Sequence, residues 1–351
     1  MRRALLLLIA GLGLLVEEGY AQDPQFSQFY AAPLYINPAF SGASEYTRFG
    51  VNYRNQWPSL EASFVTFSFY ADHYLPNANS GIGFIITTDR EGLAGLQSTS
   101  IGASYAYQLK LSDNIVFRPG VQFNYTTRNA NFTDLVFASQ IDPVTGFDPN
   151  LPGDDAVSGS NLNVNFLDIA AGGIIYSRNL FLGFAVHHLN EPDQSLLDDG
   201  LESRLPSRLS IHGGYKIKIG EGPLRKDLTY TRAERSLTPV FQYKRQGPFE
   251  ILDVGAYLHL EPVNFGIWYR GYPLRKLETA AGESFPQTDA LIFSLGVTTS
   301  EFTIGYSYDY TLSDLGVSSG GAHEFSIAYY LNFKKPVKVP RDRWKIPCPK
   351  N

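Results

Sequence analysis

The amino-acid sequence predicts an all-β fold: an antiparallel transmembrane β-barrel of the outer-membrane type, with about 14 strands of about 10 residues each. Apolar and polar residues alternate with a period of two in segment after segment, whereas helical periodicity is almost absent. The chain contains 24 Phe, 22 Tyr and 32 Gly, yet its mean hydropathy is only −0.15. This combination is typical of strands that are apolar on one face only.

The N-terminus has the order of a secretory signal peptide. Arg2 and Arg3 precede an apolar run over residues 4–16, and the small residues Gly19 and Ala21 stand where a signal peptidase reads them. We therefore expect residues 1–21 to be removed by cleavage after Ala21. The run is too short to cross a bilayer as a helix, which needs about 20 residues. The alternative is a buried N-terminal helix in the mature protein.

Residues 22–45 show neither strand alternation nor a helical stripe, yet they are dense in aromatic residues and proline. Disordered tails are poor in aromatic residues, so we expect this segment to be ordered. It would either pack inside the barrel mouth or dock on a partner protein. The side chains predicted to bind a partner are its aromatic ones: Phe26, Phe29, Tyr30, Tyr35 and Phe40.

The barrel is expected to span residues 46–333. In its last strand, Phe325, Ile327 and Tyr329 share one face, while small and polar residues occupy the other. A soluble β-sandwich alternates in the same way, but long apolar faces with aromatic ends favour contact with lipid, and polar faces favour a lumen. Glycines within strands are interpreted as kinks or places of close packing: Gly50, Gly81 and Gly83.

The lengths of the connections distinguish the two ends of the predicted barrel. Short connections are predicted at residues 111–114, 177–179, 261–262 and 299–300. Long ones are predicted at residues 129–161, 189–206, 221–236, 271–288 and 311–322. Because outer-membrane barrels have short periplasmic turns and long extracellular loops, both terminal segments are expected in the periplasm.

Residues 334–351 form a basic, proline-rich tail after the last predicted strand. The tail has seven basic residues against Asp342 alone, and its four prolines favour an extended chain without helix. We interpret it either as a periplasmic docking arm for an acidic partner or as a solvated tail beside the membrane. Its predicted partner-binding side chains are Lys334, Lys335, Arg341, Arg343 and Trp344.

Candidate metal ligands are few. One long connection carries four aspartates that could offer oxygen ligands to Ca²⁺, although their spacing does not match an EF-hand: Asp142, Asp148, Asp154 and Asp155. His187 and His188 are adjacent on a predicted strand, so they should point to opposite faces and not chelate one metal. Cys348 is the only cysteine, which excludes an intrachain disulfide.

No catalytic constellation is recognisable. An acyl-transfer site would need a serine oriented by a lumenal histidine such as His212 or His259, and sequence alone cannot show that orientation. The protein is therefore predicted to be no enzyme and to use no cofactor. With 34 acidic and 29 basic residues, nothing indicates nucleic-acid binding. Several basic residues lie on the polar faces of predicted strands: Arg208, Lys216, Lys218 and Arg270. They are expected to form ion pairs with lumenal carboxylates such as Asp253 and Asp309.

Three stretches of the sequence resemble the PorP/SprF family of type IX secretion and gliding-motility outer-membrane proteins of Bacteroidetes. The first is DPQFSQFY at residues 23–30 with NPAFSG at residues 37–42, directly after the signal peptide. The others are YRNQWP at residues 53–58 and QIDPVTGF at residues 140–147. The resemblance implies a multi-pass protein of the cell outer membrane that works with type IX secretion. It brings no catalytic residues with it.

Two functions follow as hypotheses. In the first, the barrel binds and retains a secreted adhesin, or its C-terminal sorting domain, or couples the machinery to periplasmic and other type IX components. In the second, it resembles the fatty-acid channels and transports small hydrophobic molecules across the outer membrane. A lumen blocked by residues 22–45 and by inward aromatic side chains such as Tyr257 and Trp268 would count against transport.

Overall fold

The computed structural model describes residues 22–44, 47–61, 63–92, 95–131, 138–142, 146–148, 161–196, 202–224, 232–278, 284–299, 301–313, 316–331 and 346–349. Within these ranges, no helix has the length and apolar character needed to cross a membrane. The predicted signal peptide lies outside the described residues.

Fourteen strands of the described chain form one closed antiparallel sheet. In chain order they are β1 (Thr47–Gln56), β2 (Phe64–Leu75), β3 (Ser80–Glu91), β4 (Leu96–Tyr107), β5 (Val116–Asn131), β6 (Asn161–Tyr176), β7 (Leu180–His187), β8 (Arg208–Tyr215), β9 (Arg232–Gln246), β10 (Phe249–Leu260), β11 (Val263–Glu278), β12 (Ser284–Thr298), β13 (Phe302–Thr311) and β14 (Ala322–Leu331). Each strand pairs with the next, and β14 pairs with β1, so the ring has no free edge. The predicted antiparallel barrel of about 14 strands is confirmed.

The wall alternates between lipid-facing and lumen-facing side chains, as the period-two pattern predicts. On β14, Phe325 and Ile327 are each 52% exposed, whereas Glu324 and Ser326, which alternate with them, are buried. The other strands also expose large apolar side chains, and the buried side chains include many Ser, Thr, Asn and Gln. An apolar outer face and a polar inner face are the arrangement that a bilayer requires of a barrel.

The barrel has two distinct ends. The short-turn end carries the connections 76–79, 108–115, 177–179, 261–262 and 299–301, and the long-loop end carries the connections 57–63, 132–160, 188–207 and 312–321. Strand β1 begins at the short-turn end. Leu109–Lys110 prolongs β4, and a small hairpin of Ile141–Asp142 and Gly146–Phe147 lies in the longest connection.

Two predicted loops are wrong. Within the predicted loop 221–236, residues 221–224 and 232–236 are strand: Ile217–Leu224 prolongs β8 beyond the rim of the short-turn end and pairs with the start of β9. Charged residues hide the apolar–polar alternation of this stretch in the sequence. The chain reverses direction instead in a tight turn at Gly247, which has a positive φ of 54°. Residues 271–288 are mostly the paired ends of β11 and β12.

Residues 22–44, which we call the lumenal segment, lie inside the barrel. They contain three short helical turns, Phe29–Ala31, Pro33–Ile36 and Pro38–Phe40. Proline opens two of these turns, where its missing N–H and fixed φ are favourable. The Asn37 side chain caps the third by accepting a hydrogen bond from the Ala39 N–H at 2.9 Å.

Candidate functional site: the lumenal segment and the cavity at the long-loop end

The lumenal segment crosses the barrel from one end to the other. Its first residues contact the long-loop end, where Arg208 forms an ion pair with Asp23 at 2.7 Å. Its last residues reach the short-turn end, where the Gly42 N–H donates to Asp72 at 2.9 Å. The chain then enters β1 from the short-turn end. The segment therefore occupies the length of the lumen and does not simply cap one opening.

Ser27 is the centre of a buried charged network in the long-loop half of the lumen. Its N–H donates to the Glu324 carboxylate at 2.6 Å, and its hydroxyl donates to Asp309 at 2.6 Å. The same hydroxyl accepts hydrogen bonds from Arg54 at 2.6 Å and Arg270 at 3.1 Å. All four charged residues are buried in the wall. We call this set the Ser27 network: Ser27, Arg54, Asp253, Arg270, Asp309 and Glu324.

The wall charges of the Ser27 network also pair with one another. Arg270 lies 2.7 Å from Asp253 and 3.0 Å from Asp309, and Arg54 lies 2.9 Å from Asp309. These pairs include the predicted pairing of Arg270 with lumenal aspartates. Buried charges are costly unless they are paired and hydrogen-bonded, so Ser27 supplies contacts that the wall needs when it is closed.

Gln28 extends this contact along the seam between β13 and β14. Its N–H donates to Glu324 at 3.1 Å, and its side-chain amide donates to the Glu324 carbonyl at 3.0 Å. Its side-chain oxygen accepts from Ser326 at 2.7 Å. A Cβ on Gly305 would collide with that oxygen and with the Ser326 hydroxyl, so a side chain there would displace the Gln28 amide from the seam.

Aromatic side chains fill the middle of the lumen. Phe29 packs edge-on against Trp268 with ring centroids 6.2 Å apart, and Tyr257 packs on the same tryptophan at 4.6 Å. Tyr30 contacts Phe181 edge-on at 5.5 Å. All five side chains are buried, and burial of such rings is a large source of stability.

Asn37 connects the segment to the wall at the level of this aromatic layer. Its side-chain amide donates to the carbonyl oxygens of Phe184 at 3.0 Å and Gly173 at 3.2 Å. It also lies 3.3 Å from the ring of His212, on which Phe40 stacks at a centroid distance of 5.5 Å. His212 is thus part of the packed lumen, between the segment and the wall.

Asp23 sits among charged groups at the long-loop end. Its carboxylate is 2.7 Å from His188 and 2.7 Å from Arg208, and the other ring nitrogen of His188 is 3.0 Å from Asp168, in ion-pair range but not aligned as a hydrogen bond. Burial by itself raises the pKa of Asp23, but His188 and Arg208 outweigh it and hold the pKa well below its usual range. Burial by itself lowers the pKa of His188, but Asp23 and Asp168 raise it to about 9.

His187 and His188 do not point to opposite faces, contrary to the sequence prediction. β7 ends at His187, and His188 has a positive φ of 56°, which turns its side chain inward. The two rings lie 6.3 Å apart inside the barrel, where His187 contacts the Ile36 carbonyl at 3.1 Å. Strand alternation fails here because the strand has already ended.

The Asp23–His188 pair should make stability depend on pH. Because the folded-state pKa of His188 is raised from 6.5 to about 9, its contribution is present below pH 6.5 and is lost as the pH rises through 9. The lowered pKa of Asp23 contributes stability at every pH above its ordinary pKa of 3.8, and this contribution is lost only in acid. The free energy of unfolding in urea should fall by about 3 kcal/mol between pH 6 and pH 9.5 because of His188.

Two variants test this pH dependence. His188→Gln should lose most of the fall, whereas His73→Gln, at an exposed ring, should keep it. An unchanged pH profile in His188→Gln would show that the ion pair with Asp23 does not stabilise the docked segment.

A partly open cavity lies at the long-loop end, above the start of the lumenal segment. Its volume is about 120 Å³. Gln22, Asp23, Pro24 and Tyr35 line its floor, and lumen-facing residues of β3 to β6 line its wall. Its surface combines polar and charged groups, two guanidinium groups among them, with the apolar side chains of Ile85, Phe166 and Leu205.

The predicted partner-binding aromatic residues all lie inside the barrel. Phe26, Phe29, Tyr30 and Phe40 are buried, and Tyr35 is half-buried with its hydroxyl donating to the Pro24 carbonyl at 2.6 Å. In this arrangement they contact the wall and one another, and a direct role with a partner stays a prediction.

The predicted partner-binding residues of the tail lie outside the described residues: Lys334, Lys335, Arg341, Arg343 and Trp344. Farther along, Ile346 is buried in the same apolar cluster as Phe29, so this part of the tail packs onto the barrel.

The calcium prediction finds no support in the described residues, and it stays untested. The Asp148 N–H donates to the Gln140 carbonyl at 2.9 Å, while the side chain of Asp142 and all of Asp154 and Asp155 lie outside the described part of the chain. Where the structure describes side chains, no three His, Cys, Asp or Glu groups converge on a point.

Several site residues were missed by reasoning from sequence. Ser27 and Gln28 stand within DPQFSQFY, and Arg54 stands within YRNQWP, so the two stretches that carried the family resemblance meet in the folded lumen. Asp309 was expected as a lumenal partner of basic residues, but its contact with Ser27 was not, and Glu324 looked like an ordinary lumen-facing position. Asn37 carried a signal, because an asparagine directly before a proline favours a turn or helix start.

Solved structures with a similar chain path are outer-membrane barrels of low sequence identity. A Pseudomonas aeruginosa FadL homologue is 14% identical, with 85% of this chain and 93% of that chain covered and a TM-score of 0.42. The toluene transporter TodX of P. putida is 10% identical, with 86% and 93% covered and a TM-score of 0.43. BamA from Haemophilus ducreyi lacking POTRA domains 1–3 is 7% identical, with 81% and 70% covered and a TM-score of 0.40.

The sequence also matches a protein-family model. The model is described as type IX secretion system membrane protein PorP/SprF, and it matches residues 18–329. That range includes the lumenal segment and all but the last two residues of the fourteen strands. No curated protein matches the chain.

Proposed function

This chain belongs to the PorP/SprF family of type IX secretion system membrane proteins, and from that membership we propose that it retains a secreted surface protein at the outer membrane. It is a multi-pass outer-membrane β-barrel. In this proposal, the barrel binds a secreted adhesin, or the C-terminal sorting domain of one, and does not catalyse a reaction.

The observation that carries the proposal is the occupied lumen. The lumenal segment is attached at the long-loop end by Asp23, in the centre by Ser27 and Asn37, and at the short-turn end by Gly42. A folded or extended polypeptide has no path through a barrel filled in this way. Binding at the exposed ends is the function that a filled barrel can still perform.

Of the two ends, the long-loop end favours retention of a surface protein. Long loops of outer-membrane barrels face the outside of the cell, and loops carry binding functions because they vary without disturbing the scaffold. The same end has the partly open cavity above the start of the lumenal segment. Coupling to periplasmic components would instead use the short-turn end.

Affinity purification from detergent-solubilised membranes, followed by mass spectrometry, tests the proposal. The native barrel should recover a secreted surface protein. Replacing residues 132–160 at the long-loop end with a short Gly-Ser turn should abolish recovery, and the matched replacement of residues 108–115 at the other end should not. Recovery of periplasmic components that depends on residues 108–115 would favour coupling to the machinery. Recovery of neither class with an intact barrel would contradict the proposal.

Transport of small hydrophobic molecules is the competing function, and liposome uptake discriminates it. The described lumen is lined by polar wall residues such as Asn52, Ser68 and Thr238 and is occupied by the lumenal segment. These features do not favour an apolar passage. Saturable uptake of a small hydrophobic molecule by the native barrel would support transport in place of retention.

A further inference from the structure

The last described residues of the chain return to the barrel after the sheet has ended. Strand β14 ends with Leu331 at the short-turn end, and residues 332–345 lie outside the described part of the chain. Ile346 is only 9% exposed and Pro347 is buried, while Cys348 and Pro349 are half-buried. A solvated tail would leave all four residues exposed, so residues 346–349 are docked.

The docked residues lie in the lumen, at the short-turn end. Ile346 belongs to the apolar cluster that fills the lumen, and Cys348 packs against that cluster. Cys348 also lies within electrostatic range of the Tyr70 and Tyr330 hydroxyl groups. Tyr330 is the last residue but one of β14, and the Tyr70 ring lies 5.3 Å from the guanidinium group of Arg48 near the start of β1. Because aromatic side chains fill the middle of the lumen, the tail enters through the short-turn opening.

The docked tail is held mainly by packing. Pro347 and Pro349 have no backbone N–H, so neither can donate a hydrogen bond to the wall. The lumenal segment is attached more firmly, by contacts that run from the ion pair of Asp23 to the backbone hydrogen bond of Gly42. Local opening begins where few contacts must be broken, so the tail is expected to open before the lumenal segment does.

We propose that residues 346–349 form a releasable latch, which docks in the lumen at the short-turn end and undocks while the barrel and the lumenal segment stay folded. Docking anchors the basic stretch 334–345 at both of its ends. Release turns that stretch into an arm attached to β14 alone, which offers its positive charges to an acidic partner at the short-turn end. The latch does not depend on the retention of a surface protein.

Labelling of Cys348 with a maleimide measures the undocking, because Cys348 is the only cysteine of the chain. In the detergent-solubilised native barrel, the reaction should be at least about tenfold slower than in the urea-unfolded chain, and it should proceed while the unheated barrel keeps its folded gel mobility. Ile346→Asp should accelerate the reaction about tenfold, since a carboxylate is not tolerated in the apolar cluster. Ile346→Ala should accelerate it by a smaller factor, and it keeps the test decisive if the aspartate variant does not fold. The matched control is Leu111→Asp, at a 60% exposed side chain of the short-turn end, which should react at the native rate.

Each part of the proposal has an outcome that overturns it. If Cys348 of the native barrel reacts as fast as in the unfolded chain, the tail is not docked. If it reacts only as fast as the barrel itself unfolds, the tail is a fixed part of the core and not a latch. Equal acceleration in Leu111→Asp would overturn the role of Ile346. Amide hydrogen exchange over residues 25–30 should stay at the native rate in Ile346→Asp, and faster exchange there would show that the tail and the lumenal segment open together.

Discussion

Replacing Arg270 with methionine should release the first half of the lumenal segment. Methionine keeps much of the length of the side chain but removes the charge that pairs with Asp253 at 2.7 Å and Asp309 at 3.0 Å and that donates to Ser27 at 3.1 Å. Removing one partner of a buried ion pair leaves the other charge uncompensated and costs about 3–5 kcal/mol. We expect the free energy of unfolding to fall by about that amount, and amide hydrogen exchange over residues 25–30 to accelerate.

A matched surface variant controls for the loss of an arginine. Arg204 pairs with Glu202 at 2.8 Å, but both side chains are more than 60% exposed. Arg204→Met should therefore leave the free energy of unfolding essentially unchanged, because solvent screens this exposed pair. If hydrogen exchange over residues 25–30 in Arg270→Met stays at the native rate, the Ser27 network does not hold the segment. A further readout is ion conductance in planar bilayers, which should rise in Arg270→Met and not in Arg204→Met.

Replacing Gly81 with valine should displace the other end of the segment. A Cβ on Gly81 would lie 1.9 Å from the carbonyl oxygen of Ser41 and 2.8 Å from the Cα of Gly42. Both obstacles are backbone atoms, so neither can rotate away as a side chain would. Overpacking of this kind costs about 1–3 kcal/mol, and here the cheapest relief is movement of residues 41–44 away from β3.

Hydrogen exchange over residues 39–44 measures this displacement. It should be faster in Gly81→Val than in the native barrel. The control is Gly220→Val on the prolonged β8, where a Cβ would meet nothing within 4 Å and the φ is not positive. Native exchange over residues 39–44 in Gly81→Val, with the barrel folded, would contradict the close packing of this end.

The barrel could be predicted from the sequence because alternation is local: Phe325 and Ile327 show their lipid-facing positions through their immediate neighbours. The close packing suggested for Gly81 was also visible, since a strand rarely uses glycine without a steric reason. The Ser27 network could not be predicted, because Ser27 lies 297 residues from Glu324 and 282 from Asp309. The sequence identifies Asp309 as a lumenal carboxylate, but nothing in it connects Asp309 or Glu324 with Ser27.

The cavity illustrates the same limit. Asp89 and Glu91 show by their spacing that they share a face, but nothing in the sequence places Gln22 and Asp23 beside them. That arrangement depends on the segment crossing the lumen, and on His188 turning inward after its strand has ended. The cavity is formed by strand ends and by the irregular lumenal segment, and strand alternation predicts the position of neither.

The Ser27 network can form only when the barrel closes. Arg54 is on the first strand, Asp309 on the thirteenth and Glu324 on the last, so the pocket for Ser27 exists only where the two ends of the sheet meet. Before the last strand is added, the lumenal segment lacks its binding site at Glu324. Contacts so distant in sequence form late, after the loop entropy of nearly the whole chain has been lost. The lumenal segment can therefore reach its final position only after the last strand has paired with the first.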